Sequence, residues 1–221
     1  MTRHLDREIN NLKNKLLSLC TIVEESVFKA VDAVKKGDVA LAKEVAEGDS
    51  VINTKEVEVE EDCLKILALY QPVALDLRLV VAALKMNNDL ERIGDLATNI
   101  AFRSIALSSQ PLGNIPFDLN EMSELTRRML RMSLDSLIQM NADTAREVCS
   151  SDKEVDEIYR TTYKKVNEGI LRDLSQADKL LNLLSVSRNL ERIADLATNI
   201  AEDVIYMIEG DIVRHQEHDF C

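Results

Sequence analysis

Glycine and proline are scarce in this sequence, six and three among 221 residues. Breakers that sparse predict long uninterrupted elements. Aromatic residues make up 4%. Leu, Val, Ile, Ala and the four charged types dominate, which favours helices over strands. No run of about 18 apolar residues occurs, so no segment is expected to span a bilayer. The opening MTRHLDREINNLK is charged and lacks an apolar centre, so it does not read as a secretory signal. Lys and Arg number 27 against 39 Asp and Glu, a net charge of −12. A field of that sign repels phosphate backbones and argues against nucleic acid as a partner. It also opposes an anionic membrane surface unless a basic patch or bridging cation intervenes, so peripheral association stays open. Histidine is nearly absent: His4, His215 and His218 stand at the two ends. No Glu-x-x-His occurs, which removes the ligand pattern of di-iron bundle enzymes and the commonest general base. No Gly-rich phosphate loop is present, which argues against nucleotide hydrolysis. Cys20, Cys63, Cys149 and Cys221 form no C-x-x-C pair. They read as three small helix residues and one tail residue in a reducing cytosol.

What remains is strongly periodic. Hydrophobic residues at 46% and charged residues at 30% describe a globular chain. Leu5, Ile9, Leu12, Leu16, Leu19, Val23, Val27, Ala30 and Val34 recur at spacings of three and four, one apolar stripe on a first helix. Gly37 and Asp38 supply a stop and a cap. A second helix is expected from about Val39 to Tyr70, ending before Pro72. A third starts near Pro72 to Asp76 and runs to about Leu107. Residues 108–118, SSQPLGNIPFD, form the linker. Three more helices follow, from about Leu119 to Gln139, Asp143 to Asp173 and Gln176 to Ile208. A helix of about thirty residues is about 45 Å long, and a stripe of that length needs partners of equal length, hence a bundle.

The two halves superpose as sequences. Residues 90–101 read LERIGDLATNIA and residues 190–201 read LERIADLATNIA, alike at eleven of twelve positions, with Gly94 against Ala194. Upstream, Ala42-Lys-Glu-Val matches Ala145-Arg-Glu-Val and Asp49 matches Asp152, at an offset of 103. The repeat implies an all-α fold made by tandem duplication of a three-helix bundle, six long antiparallel helices. The units are 1–107 and 119–208, with a tail from 209 to 221.

Each unit carries acids at helical spacing. Glu91, Asp95 and Asn99 form one row and Glu191, Asp195 and Asn199 the other. Residues at i, i+4 and i+8 share a face, here bordering the apolar stripe of Leu90, Ile93 and Ala97. The second helix of each unit adds Asp49 with Asn53, and Asp152 with Asp156; Glu56 continues the first of these rows. The stripe through Val45, Ile52, Val59, Cys63 and Ile66 places Asp49 and Glu56 in core register, where an acid demands a cationic partner. The donors are all oxygen, which suits hard cations and is a poor zinc set. An ion-paired helical scaffold and a carboxylate-metal bundle enzyme give overlapping patterns, since Arg92, Arg192, Arg78, Lys85 and Arg188 are near in sequence. In the tail, His215, His218 and Cys221 could ligate a metal, though a mobile end is the better reading.

At LERIGDLATNIA and LERIADLATNIA the sequence resembles the PhoU family of phosphate-uptake regulators, whose motif is Glu or Asp, three residues, then Asp. It stands here as Glu91 to Asp95, Glu191 to Asp195 and Asp152 to Asp156, while the fourth copy, Asp49 to Asn53, ends in Asn. ALYQPVALDLRLV (68–80) and YMIEGDIVRHQ (206–216) extend the likeness over nearly the whole chain. The resemblance implies a cytoplasmic, non-enzymatic homodimer. It would work with the phosphate ABC transporter and a membrane sensor histidine kinase as a negative regulator of the phosphate-starvation response. It also implies metal ions at the acidic motifs, with iron, Mn, Mg or Ca as candidates. The Asn at position 53 predicts a weaker or different site in the first repeat.

Overall fold

Helix ends are fixed by local chemistry. The computed structural model describes residues 2–108 and 117–211; linker residues 109–116 and the tail from 212, with His215, His218 and Cys221, lie outside them. Helix α1 (Thr2–Lys36) stops at Gly37, whose φ of 66° is the left-handed conformation glycine adopts freely. Asp38 then caps α2 (Val39–Tyr70) by accepting the Leu41 N–H. Asp118 caps α4 (Leu119–Gln139) and Asn141 caps α5 (Ala142–Arg172) in the same way. Helix α3 (Ala74–Leu107) has no side-chain cap. Gln71 in the turn before it, at φ 46°, and its first residue Ala74, at φ 48°, are both left-handed without being glycine, which costs on the order of 1 kcal/mol each. The helix bounds match the sequence expectation within a few residues. One detail was not legible: Leu174–Gln176 form a short 3-10 turn ahead of α6 (Ala177–Glu209).

The described residues are all-α, a tandem duplication of three-helix units. Within each unit the three helices pack together: α1 with α2 and α3, and α4 with α5 and α6. The units also share a long seam between α3 and α6 and a shorter one between α1 and α4. The result is a row of four helices, α2-α3-α6-α5, with α1 and α4 lying across one side of it. Helices α3 and α6, packed on three sides, carry buried positions around most of their circumference, from Leu79 to Leu107 and from Lys179 to Met207. One continuous apolar core results.

Cross-contacts reveal an approximate twofold axis between the repeats. Arg131 Nε donates to Glu24 Oε1 at 2.7 Å, and the Arg127 guanidinium lies 3.8 Å from the centre of the Phe28 ring. Positions 24 and 127, and 28 and 131, are equivalent in the duplication, so each contact is the symmetry counterpart of the other. Along the α3–α6 seam, Lys85 Nζ donates to Asp203 Oδ1 at 3.2 Å and Arg103 Nη1 donates to Asn182 Oδ1 at 3.4 Å. Those pairs fix α3 and α6 as antiparallel. Cys20, Cys63 and Cys149 are buried and free; burial pushes the Cys20 and Cys63 thiols up to about 12, so they act as small core residues.

Candidate functional site

Two acidic grooves lie on the side of the four-helix row that α1 and α4 leave uncovered. The first runs between α2 and α3, the second between α5 and α6. The helical spacing puts each acid row one position off the buried stripe, so its carboxylates stand at the groove edge over an apolar floor.

In the second groove, Asp156 from α5 and Glu191 and Asp195 from α6 converge. Each offers a carboxylate oxygen, and all three oxygens lie within 4.8 Å of one another. Asp152, one turn before Asp156, accepts a hydrogen bond from Thr198 Oγ1 at 3.3 Å. Burial, then the nearby charges of Asp195 and Asp156, raise the Asp152 carboxyl to about 6. Glu191 is raised by burial and by Asp195, Asp156 and Asp152, with Arg188 opposing. Asp195 is raised by burial and Asp156, with Arg192 opposing. The groove therefore gathers negative charge that its own arginines do not neutralise. Among the described residues no Lys or Arg nitrogen lies within 4.0 Å of Asp152, Glu191 or Asp195, and Asp156 has only Arg160 at 3.8 Å.

The first groove is a variation on this. Thr98 Oγ1 donates to Asp49 Oδ1 at 3.2 Å, the counterpart of the Thr198 bond. Asn53 Nδ2 donates to Asp49 Oδ2 at 3.1 Å, so here the amide solvates its neighbour. The fourth carboxylate comes from Glu56, which accepts from Asn87 Nδ2 at 3.2 Å. Glu91 is raised by burial, then by Asp95, Glu56 and Asp49; Asp95 is raised by burial and Asp49; Glu56 by burial and Glu60. Each groove thus holds four acids: Asp49, Glu56, Glu91 and Asp95 against Asp152, Asp156, Glu191 and Asp195. Asp49 and Glu56 are half-buried, which corrects their expected place in core register: they flank the buried positions Val45, Ile52 and Val59 instead of joining them. Asn99 and Asn199 lie a turn beyond the acids, the first exposed and the second half-buried.

Sequence reasoning missed Thr98, Thr198 and Asn87. Nothing in a single helix marks a Thr or Asn as the anchor of an acid on another helix; the TN pair repeated in both segments was the available signal. The donor set fits a hard cation. Metal–oxygen distances of about 2.0–2.6 Å put two ligand oxygens up to roughly twice that apart, the scale of the spacing seen in the second groove.

Comparison with known proteins places this architecture. The family model described as the PhoU domain matches residues 16–103 and 119–204, one match per repeat. A phosphate-specific transport system accessory protein PhoU homolog of Aquifex aeolicus is 39% identical over 212 residues, 96% of each chain. The Escherichia coli (strain K12) accessory protein PhoU is 33% identical, covering 94% of this chain and 86% of its own. The crystal structure of PhoU from Pseudomonas aeruginosa superposes with a TM-score of 0.89 at 36% identity, over 93% of this chain and 99% of that one. The phosphate transport system regulatory protein PhoU from Streptococcus pneumoniae gives 0.86 at 29%, over 95% and 99%. Two domain matches, near full-length relatives and a shared fold show that the chain belongs to the PhoU family.

Proposed function

We propose that this chain is a non-catalytic accessory regulator of phosphate-specific transport, and that its two acidic grooves bind hard cations. The relatives' role in the phosphate transport system supports the first part. The convergence of Asp156, Glu191 and Asp195, with only the long Arg160 pair to Asp156 among them, carries the second. Asp152, Asp156, Glu191 and Asp195 would hold a cation in one groove. Asp49, Glu56, Glu91 and Asp95 would hold one in the other, with Asn53 as a neutral oxygen donor once its amide is turned. A bound divalent or trivalent ion supplies positive charge that offsets the mutual repulsion and ties α2 to α3 or α5 to α6.

In this reading the protein is a cytoplasmic homodimeric adaptor between the phosphate ABC transporter and a membrane sensor histidine kinase. It holds the phosphate-starvation response off when phosphate is ample. Among the described residues no helix is long and apolar enough to cross a membrane, so contact with a membrane complex would be peripheral. Deleting the gene should make phosphate-starvation genes constitutive in phosphate-rich medium, read from reporter expression. Normal repression in the deletion strain would count against the regulator reading.

A further inference from the structure

Between the two acidic grooves, on the same uncovered side, runs a basic stripe that the cation reading does not use. Lys85, Arg92 and Arg103 lie in one row of α3, since separations of seven and eleven residues bring a helix back to nearly the same face. That row faces α6, as the Lys85–Asp203 and Arg103–Asn182 contacts show. The twofold relation places Arg192 in the equivalent row of α6, facing α3. The register that sets Lys85 against Asp203 and Arg103 against Asn182 brings positions 92 and 192 to within about one turn of each other, about 5.4 Å along the axis. Two exposed arginines therefore flank the axis from opposite helices. Arg188, also exposed, stands one turn before Arg192. Arg92 has one distant ion pair, 3.7 Å to Asp89. Arg188 and Arg192 make none within 4.0 Å among the described residues.

We propose that Arg92 and Arg192, with Arg188 beside them, form a binding site for free inorganic phosphate on the α3–α6 seam. Guanidinium groups match oxyanions through paired N–H donors, and approach from two symmetric sides suits a compact anion. The acidic grooves bound the stripe on both sides. An extended polyanion or a lipid surface laid across the seam would meet Asp95 and Glu191 as well as the arginines, whereas a single phosphate need not. That charge pattern selects a free small anion over a headgroup in a membrane. Arg92, Arg188 and Arg192 each lie close enough to oppose the charge of Glu91, Glu191 or Asp195, so phosphate binding is read on metal-free protein, where its failure is separate from a failure of the cation reading.

The test is isothermal titration of the full chain with orthophosphate in the presence of a chelator, which removes any phosphate held by metal. The expected result is saturable binding that chloride does not mimic. Affinity should fall by at least about tenfold in Arg92→Gln with Arg192→Gln, the loss typical of a charge-assisted hydrogen-bond pair. Arg192→Lys, which keeps the charge but loses the planar fork, should fall between the native chain and the double variant. Circular dichroism should show the double variant fully helical, since both side chains are exposed; if it is not, single Arg188→Gln carries the test, with a smaller expected loss. No saturable binding by the native chain, or equal binding by a folded double variant, would overturn the proposal. So would sedimentation with phosphatidylglycerol-containing vesicles without binding of free phosphate.

Discussion

The one difference between the two twelve-residue segments, Gly94 against Ala194, follows from what each meets across its groove. A Cβ added at Gly94 would stand 2.9 Å from Ile52 Cδ1 and 3.1 Å from Ile52 Cγ2. Ile52 is buried, and a β-branched side chain in a helix is nearly fixed at χ1, so Cγ2 cannot swing away. The equivalent pair in the second repeat is Ala194 with Val155, both fully buried. A methyl group has moved from one helix to the other. Gly94→Ala should therefore destabilise by about 1 kcal/mol, an overpacking cost of roughly 1–3 kcal/mol less about 1 kcal/mol of helix propensity. Adding Ile52→Val should restore or exceed the original stability, measured by urea unfolding. Equal stability of the single variant and the native chain would reject this account. Gly94 was visible in the sequence as an exception, but its reason was not, because Ile52 lies in another helix.

At the scale of the element, α5 and α6 are held close despite facing carboxylates. The sign of the linkage follows from the raised Asp152 carboxyl. In the folded chain it holds a proton more tightly than in the unfolded chain. Its charge therefore costs stability fully above about pH 6, and the cost is relieved as pH falls toward the ordinary carboxylate range. In chelator, Asp152→Asn should raise Tm at pH 7.5 by about 2–4 °C, the shift that roughly 1 kcal/mol produces in a chain of this size. The gain should vanish near pH 4, and the amide oxygen can still accept from Thr198. A lower Tm at pH 7.5 would show that the carboxylate is compensated within the metal-free groove. Helix positions, caps and acid rows were legible because they depend on periodicity and near neighbours. Glu56 as the fourth acid of the first groove was only partly so. Its place in the row could be read, but its link to Asn87 and its half-buried setting depend on the crossing of α2 over α3. The left-handed Gln71 and Ala74 at the entry to α3 were invisible for a related reason. Pro72 announces a turn, but only the packing of both helices fixes its conformation.

For the whole molecule, duplication accounts for the architecture and divergence accounts for its specificity. A twofold contact between identical helices would set like charges against each other near the axis. On the α1–α4 seam the first repeat instead presents Glu24 and Phe28, and the second presents Arg127 and Arg131, which pair across the interface. That asymmetry favours pairing of unlike repeats. The duplication was plain from the sequence. The α3–α6 seam that joins the repeats into one core was not, because an apolar stripe states that a partner exists without stating which. The grooves have diverged less: each keeps four acids, although Asn53 stands where the second repeat has Asp156. The first groove thus differs from the second in the identity of its fourth acid, Glu56 in place of a counterpart to Asp156.

The central claim is that these grooves bind cations, and metal analysis tests it most directly. The native chain and Glu191→Ala with Asp195→Ala, purified without chelator, should be compared by elemental mass spectrometry, with circular dichroism confirming the fold. The account predicts bound divalent or trivalent metal in the native chain and a clear loss of it in the folded double variant. Metal content unchanged by the substitutions, or a native chain that carries none after exposure to iron, manganese, magnesium and calcium, would contradict it.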